Sequence, residues 1–276
     1  MAVEEGLFWT DDGERLFYRL ERGSSAKQPL VLIHGHGEHS GRYLKFFAEL
    51  RELQISIATF DLRGCGRSSG EAAHVERFED YLSDVSSFLK FLAKQYGLKT
   101  PIQLFGHSLG GLIALTWARA NPKLISKLIL SSPLLGLPQE GVIRLLVRIL
   151  NPIVPRFVIR NAVRPLYLSH DPEEVRLYKE DPLIRRRITV RLVHEMVKYF
   201  LLLRGVDVTI PFPVYILMAG KDRVVRADAT RNFFLRLRAP SKELESFEGF
   251  YHEIFNEAGQ AKVFERLRHY LRKGGS

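Results

Sequence analysis

The stretch that decides the fold is Gly106-His107-Ser108-Leu109-Gly110, which has the form G-x-S-x-G. A short apolar run, residues 101–105, precedes it, and residues 111–119 follow with apolar side chains at helical spacing. Strand, turn and helix in this order form the setting in which such a serine acts as a nucleophile. The pattern predicts a Ser108 hydroxyl that the turn lifts clear of the sheet and a Leu109 amide at a helix N-terminus, where the amide can stabilise an oxyanion. The alternative is an ordinary strand-to-helix turn with a chance serine.

Strands and helices alternate along most of the chain. Residues 6–20 predict a hairpin around Asp12-Gly13, and the continuously apolar residues 30–33 are typical of a strand buried on both faces of a parallel sheet. The other predicted strands are 55–60, 101–105, 127–130, 214–219 and 242–248. The predicted helices are 43–53, 78–96, 111–119, 226–238 and 259–272. This alternation predicts an α/β protein with a mostly parallel, doubly wound sheet.

The alternation stops between Pro133 and Pro213, and a gap of about eighty residues is too long for one crossover helix. Helical patterns at 140–150, 172–180 and 189–204 fill this gap and are separated by prolines. We therefore interpret the segment as an inserted helical cap. The predicted division is 1–135 for the first part of the core, 136–210 for the cap and 211–276 for the second part of the core.

Composition excludes several classes of protein. With 276 residues, 46% of them hydrophobic, the chain can form one large α/β domain. The single cysteine, Cys65, excludes an internal disulfide and a cysteine-rich zinc site. Residues 1–10 do not read as a signal peptide and no apolar run is long enough to span a membrane, so a cytoplasmic location is expected. The net charge of +10 is scattered and comes without a nucleic-acid motif, so no nucleic-acid partner is expected.

A serine needs a base to remove its proton, and that base is usually a histidine oriented by a carboxylate. In this arrangement the acid and then the histidine follow the serine along the chain. His252 lies in a loop just after a predicted strand, whereas His269 lies within the final helix, so His252 is the candidate base. Asp222 directly follows the strand 214–219 and is the candidate acid, while Asp228 suits the first turn of the next helix. The alternatives are a surface histidine and a turn aspartate without catalytic roles.

The loop after the strand 30–33 should supply a second oxyanion donor. In His34-Gly35-His36-Gly37 the glycines permit a tight turn, and the His36 amide can then point towards the serine. We interpret His34 as a packed structural residue. A metal site is not expected here, because Glu38 is the only acidic residue or cysteine at ligand spacing.

A glycine-rich loop, residues 61–70, contains two arginines but lacks the G-x-x-x-x-G-K-S/T pattern of a phosphate-binding loop. We interpret it as a structural turn. Cys65 lies on this loop without a histidine placed as its base, so we expect a thiol that takes no part in the reaction. Neither a metal nor an organic cofactor is expected.

These stretches together resemble the monoacylglycerol lipase group of the α/β-hydrolase family, a group also described as lysophospholipases. The most specific stretch is residues 34–43, which read HGHGEHSGRY. The other matching stretches are residues 12–19, 61–70, 106–110, 220–222 and 251–257. The resemblance extends over nearly the whole chain.

The resemblance implies a serine esterase with a cap over an acyl tunnel, acting on esters with one acyl chain and most simply on monoacylglycerols. It implies that Glu38 and Arg42 shape the polar end of the pocket, and His107 is a further candidate substrate-binding residue. The chain departs from the group at His36, where a small or apolar residue is commoner, and at Leu109, where methionine is common. Both donate through the backbone, so the oxyanion hole is expected to survive. A lysophospholipase, a general carboxylesterase and a non-enzymatic ligand sensor are the alternatives.

The cap sequence combines apolar side chains with arginines. Residues 142–163 are rich in valine, isoleucine and leucine, five arginines lie between 142 and 164, and that range contains no acidic residue. Two interpretations stay open. The apolar residues lie on an anionic membrane or micelle, or they pack the cap onto the core and leave the arginines in water. The expected partners are therefore a lipid ester substrate and, through the cap, a membrane or micelle surface.

Overall fold

An eight-stranded sheet lies at the centre of the protein. The structure is a computed structural model that describes residues 2–25, 28–161 and 163–273. The strands of this sheet are β1 (Glu4–Trp9), β2 (Arg15–Glu21), β3 (Leu30–Ile33), β4 (Ile57–Phe60), β5 (Ile102–His107), β6 (Ile125–Ser131), β9 (Val214–Ala219) and β10 (Lys242–Phe247). Their order is β1-β2-β4-β3-β5-β6-β9-β10. The pairs β1–β2 and β2–β4 are antiparallel and all other pairs are parallel, which confirms the predicted hairpin and the mostly parallel sheet.

Helices cover both faces of this sheet. The helices that pack on it are α1 (Leu44–Leu50), α2 (Phe78–Tyr96), α3 (Leu109–Ala120), α7 (Ala227–Arg236) and α8 (Ala261–Arg272). One apolar core joins α2, α3 and α7 to one face, and a second joins α1 and α8 to the other. Because both faces are covered, every residue of β3, β4, β5 and β9 is buried, which explains why β3 and β9 have continuous apolar sequences.

The candidate catalytic residues all follow strands of this sheet. Ser108 follows β5, Asp222 lies just beyond β9, and His252 lies in the loop between β10 and α8. Parallel neighbouring strands end at the same edge of a sheet, and ligand sites of open α/β sheets are built at that carboxyl edge. The topology therefore brings together three residues that are far apart in the sequence.

Residues 136–210 contain the three predicted helices and one small sheet that the sequence did not predict. The helices are α4 (Glu140–Leu150), α5 (Pro172–Glu180) and α6 (Val190–Arg204). β7 (Val158–Arg160) and β8 (Arg187–Thr189) form an antiparallel pair. Each of these strands has three residues and carries arginine, so neither shows the apolar alternation by which strands are recognised. The assignment of 136–210 as a separate cap domain stays a prediction.

One face of α4 and the turn that follows it present apolar side chains to solvent. Val147 of α4 is buried, while the exposed apolar residues include Val142, Leu145, Leu146, Ile149, Ile153 and Phe157. We call these six residues the apolar face. No helix in the described part of the chain has the length and apolar character needed to cross a bilayer.

Candidate active site

The turn between β5 and α3 holds Ser108 in a strained backbone conformation, with φ 53° and ψ −117°. Positive φ is unfavourable for a residue with a side chain, so the surroundings must enforce it. A Cβ on Gly106 would lie 2.3 Å from the Gly110 carbonyl oxygen, and a Cβ on Gly110 would lie 2.2 Å from that of Ile33. Only glycines fit at these two positions. Gly106 allows β5 to approach α3, and Gly110 allows α3 to approach the end of β3.

Asp222 and His252 form a buried pair. The Nδ1 atom of His252 lies 2.8 Å from Oδ2 of Asp222, and both side chains are at most 3% exposed. The other carboxylate oxygen of Asp222 accepts the amides of Val224 and Val225 at 2.8 and 2.9 Å. Because a carboxylate can only accept, Nδ1 carries the proton and Nε2 is left as a base.

The loop that contains Gly35 and the turn that contains Ser108 lie against each other. A Cβ on Gly35 would lie 3.2 Å from the Ser108 Cβ. The ring centroid of His107 lies 4.8 Å from that of His252. The candidate nucleophile, the candidate base and the loop after β3 therefore meet at one place on the carboxyl edge of the sheet.

The two candidate oxyanion donors are oriented by their surroundings. His34 is fully buried, and its Nδ1 donates to the Gly35 carbonyl at 2.8 Å while its Nε2 accepts the Leu62 amide at 2.9 Å. The N–H of a trans peptide points opposite to its C=O, so the bond from His34 also fixes the direction of the His36 N–H. Leu109 is the first residue of α3, and its N–H therefore has no intrahelical acceptor. His34 is packed as expected, and in addition it positions this peptide.

Charges around His252 set its protonation. Burial alone would lower the pKa of His252, but the Asp222 carboxylate, together with Glu253 and Glu38, raises it above the ordinary value. Burial lowers the pKa of His107 to about 4, with a further contribution from His252. His107 is therefore neutral near pH 7, and a proton taken up between these two rings resides on His252.

The three candidate substrate-binding residues lie together. Glu38, Arg42 and His107 line a cavity of about 20 Å³, which Glu253 and Asn256 also line. Such a volume holds no more than a water molecule. The cavity must therefore widen before it can hold the alcohol part of an ester substrate. Their roles towards substrate stay a prediction.

The glycine-rich loop has structural contacts, as its sequence indicated. Asp61 accepts the amides of Ser40 and Arg67, at 2.7 and 2.8 Å. Burial raises the pKa of the Cys65 thiol to about 12, so it is not a thiolate at neutral pH. In the described ranges, no three histidine, cysteine, aspartate or glutamate side chains are grouped as a metal site requires.

Glu253 is a charged residue of this site that the sequence did not single out. Its side chain lies 2.5 Å from Nη2 of Arg42, and both side chains are 7% exposed. The sequence carried one signal, which is that an acidic residue directly follows the candidate base. Such a residue needs a cationic partner if it is buried. The partner, however, lies 211 positions away in the chain.

Comparisons with known proteins identify the family of this chain. The sequence profile of the Hydrolase_4 family, described as serine aminopeptidase, S33, matches residues 24–259. The chain is 31% identical to the uncharacterized protein YnbC of Escherichia coli, over 97% of this chain and 46% of that protein, so it spans about half of that relative's length. It is 29% identical to the phospholipase YtpA of Bacillus subtilis, over 87% of this chain and 93% of that protein.

A solved structure of a similar protein has the same fold as this chain. The crystal structure of Paleococcus ferrophilus monoacylglycerol lipase matches with a TM-score of 0.81 and 29% identity, over 98% of each chain. The matched residues include the serine turn and the histidine loop. The chain therefore belongs to the Hydrolase_4 family of α/β-hydrolases and is a serine hydrolase similar to monoacylglycerol lipases.

Proposed function

We propose that this protein hydrolyses carboxylic esters with a single acyl chain, that monoacylglycerols are its best substrates, and that Ser108, His252 and Asp222 form its catalytic triad. The observation that carries the proposal is the strained serine at the start of α3, beside the buried His252–Asp222 pair. A nucleophile and a base oriented by a carboxylate are the parts that acyl transfer needs.

The reaction has two halves. The Ser108 Oγ attacks the ester carbonyl carbon while Nε2 of His252 takes the hydroxyl proton, and the amides of His36 and Leu109 stabilise the resulting oxyanion. The bond to the alcohol then breaks, and His252 returns the proton to the leaving oxygen. Water, deprotonated by the same imidazole, attacks the acyl-enzyme and releases the fatty acid with Ser108 restored.

The substrate class has separate support. The similarity to the Paleococcus ferrophilus monoacylglycerol lipase extends over 98% of each chain, and residues 34–43 carry the motif typical of that group. The similarity to the Bacillus subtilis phospholipase favours a second candidate, a lysophospholipase. Both substrates offer one acyl chain and differ in the alcohol that leaves, so the alcohol decides between them.

The test is a substrate panel on the purified protein, with monoacylglycerols, lysophospholipids and p-nitrophenyl esters of graded chain length. We expect the highest kcat/KM on a monoacylglycerol, and no turnover above background for Ser108→Ala with its fold intact. A preference for lysophospholipids would replace the first candidate with the second.

Reactivity and turnover need to be measured separately. A fluorophosphonate labels an activated serine whether or not the protein turns over an ester. Labelling of Ser108 without turnover of any ester would indicate a ligand sensor on the same fold. Near-wild-type turnover by contamination-free Ser108→Ala would refute the assignment of the nucleophile.

A further inference from the structure

A chain of three buried charged side chains lies beside the candidate active site. Nη2 of Arg42 lies 2.5 Å from Oε2 of Glu253, and Nε of Arg42 lies 3.6 Å from Oε2 of Glu38. These side chains are 6–7% exposed. One guanidinium between two carboxylates leaves one excess negative charge in the interior. We call the three residues the Glu–Arg–Glu chain.

Glu38, at one end of the Glu–Arg–Glu chain, contacts the loop after β3, residues 34–37, which we call the oxyanion loop. Oε1 of Glu38 accepts the Gly35 amide at 2.5 Å and the hydroxyl of Tyr43 at 2.8 Å. His34 holds the carbonyl of Gly35, so the peptides on both sides of this residue are fixed by side chains. Gly35 is also the residue that lies against Ser108. A shift of Glu38 would therefore move the peptide that carries the His36 N–H.

Glu253, at the other end of the Glu–Arg–Glu chain, belongs to the loop that carries His252. Glu253 follows His252 directly, its amide donates to the Leu168 carbonyl at 2.9 Å, and its side chain accepts from Asn256 at 2.9 Å. The carboxylates of Asp222 and Glu253 thus fix two consecutive residues of one loop. The first sets the direction of the imidazole, and the second connects the loop to Arg42.

Stability alone does not explain such an arrangement. Removing three charges from water costs free energy that their attraction roughly repays at best, and apolar side chains of similar volume often stabilise a fold equally well. An ion chain does, however, fix two loops at a defined separation and direction. Catalysis needs this, because the base and the oxyanion donor must both be placed correctly against one substrate atom.

We propose that Glu253 is a positioning residue. It acts through Arg42 and Glu38 to hold the His252 loop and the oxyanion loop at a fixed separation and direction on either side of Ser108. This inference rests on the proposed function, since the relative position of the two loops affects activity only if both loops serve one reaction. In the described part of the chain, the side chain of Glu253 bonds to Arg42 and Asn256 and not to Ser108, His252 or Asp222. Its loss should therefore reduce kcat and leave substrate binding nearly unchanged.

The test is Glu253→Gln, which keeps the size of the side chain and removes its charge. We expect kcat on a soluble p-nitrophenyl ester to fall about 10- to 100-fold, less than the loss of a whole oxyanion donor, with KM within about 2-fold. A second readout is the acidic limb of the kcat/KM profile. His252 faces Asp222, Glu253, Glu38 and His107, and loss of one of its carboxylates should shift this limb to lower pH.

A double-mutant cycle tests whether Glu253 acts through Arg42. In an Arg42→Met background, Glu253→Gln should change kcat by no more than about 2-fold, because the link is already broken. The matched control is Asp84→Asn, which breaks another buried ion pair, with Arg63 at 2.5 Å. The control should lower Tm and leave kcat and the acidic limb unchanged. If Glu253→Gln folds poorly, Glu253→Asp keeps the charge at a shorter reach and should lose less kcat without moving the limb.

The outcomes separate this inference from the proposed function. Unchanged kcat in Glu253→Gln, an equal loss in the Arg42→Met background, or a loss matched by Asp84→Asn would overturn the positioning role while hydrolysis by the wild type stands. Absence of ester hydrolysis by the wild type would refute the proposed function, and this inference with it.

Discussion

Asp222 is held rigidly in the position from which it orients His252. One carboxylate oxygen lies 2.8 Å from the imidazole, and the other accepts the amides of Val224 and Val225. A carboxylate with both oxygens engaged cannot rotate away, so the imidazole keeps a single tautomer and direction. The loop after β9 therefore fixes the geometry of the candidate base before any substrate binds.

Asp222→Asn should be less damaging than His252→Ala. The aspartate orients the imidazole, whereas the imidazole transfers the proton itself. We expect kcat to fall about 10⁴-fold for the first variant and about 10⁶-fold for the second. Steady-state kinetics on a p-nitrophenyl ester measure both. Full activity of Asp222→Asn would mean that another carboxylate orients the base.

The pH profile of activity should show that the pKa of the candidate base is raised. His252 must be neutral to accept a proton, and its pKa is raised above the ordinary value by Asp222, Glu253 and Glu38 against the effect of burial. The acidic limb of kcat/KM should therefore lie above about pH 6.5, the ordinary histidine value. Asp222→Asn should move the residual activity's limb to lower pH. A wild-type limb below pH 6 would contradict the assignment of His252 as the base.

Gly110→Ala should destabilise the fold. A Cβ there would lie 2.2 Å from the Ile33 carbonyl oxygen and 2.5 Å from that of His34, and backbone atoms cannot rotate away. We expect a loss of about 1–3 kcal/mol in the free energy of unfolding. Urea unfolding of the two proteins measures it. Gly141→Ala is the matched control, because Gly141 also lies in the first turn of a helix and no atom lies within 4 Å of the added Cβ, so this change should not lower the stability.

Local patterns predicted much of this structure. The helix at 78–96 is observed as α2 (Phe78–Tyr96), and the serine turn lies between strand and helix as the glycines indicated. What the sequence did not reveal depends on contacts between distant residues. The pairing of β7 with β8 and the ion pair between Arg42 and Glu253 each join segments that no local period connects. His34 shows the same limit, because its packing was expected but its bond to the Gly35 carbonyl was not.

Chelation should not affect activity. The proposed mechanism needs only the triad, backbone amides and water, so dialysis against EDTA should leave kcat/KM within about 2-fold. The measurement compares treated and untreated enzyme on one soluble ester. Loss of activity that one divalent cation restores would contradict this expectation.

The exposure of the apolar face favours the first interpretation of the cap sequence, in which the cap lies on a lipid surface, and this contact stays a prediction. Its six residues are exposed, with Ile153 at 71% and Leu145 at 60%, whereas packing onto the core would bury them. Arg144 and Arg148 are exposed on the same helix. Apolar side chains edged with arginines suit a helix that lies on an anionic lipid surface. We therefore expect the wild type to bind anionic vesicles, and to bind more weakly as salt rises.

The charge of α4 should control access to dispersed lipid without changing the chemistry. Each basic residue near an anionic surface contributes about 1 kcal/mol, so Arg144→Glu with Arg148→Glu should weaken vesicle binding at least about 10-fold. Hydrolysis of a dispersed long-chain monoacylglycerol should fall with it, while a soluble short-chain ester is hydrolysed as before. Arg119→Glu with Lys123→Glu, at the far end of α3, changes the net charge equally and should preserve binding. Wild-type binding by the α4 variant, or parallel loss of both hydrolytic activities, would show that this helix does not bring the enzyme to lipid.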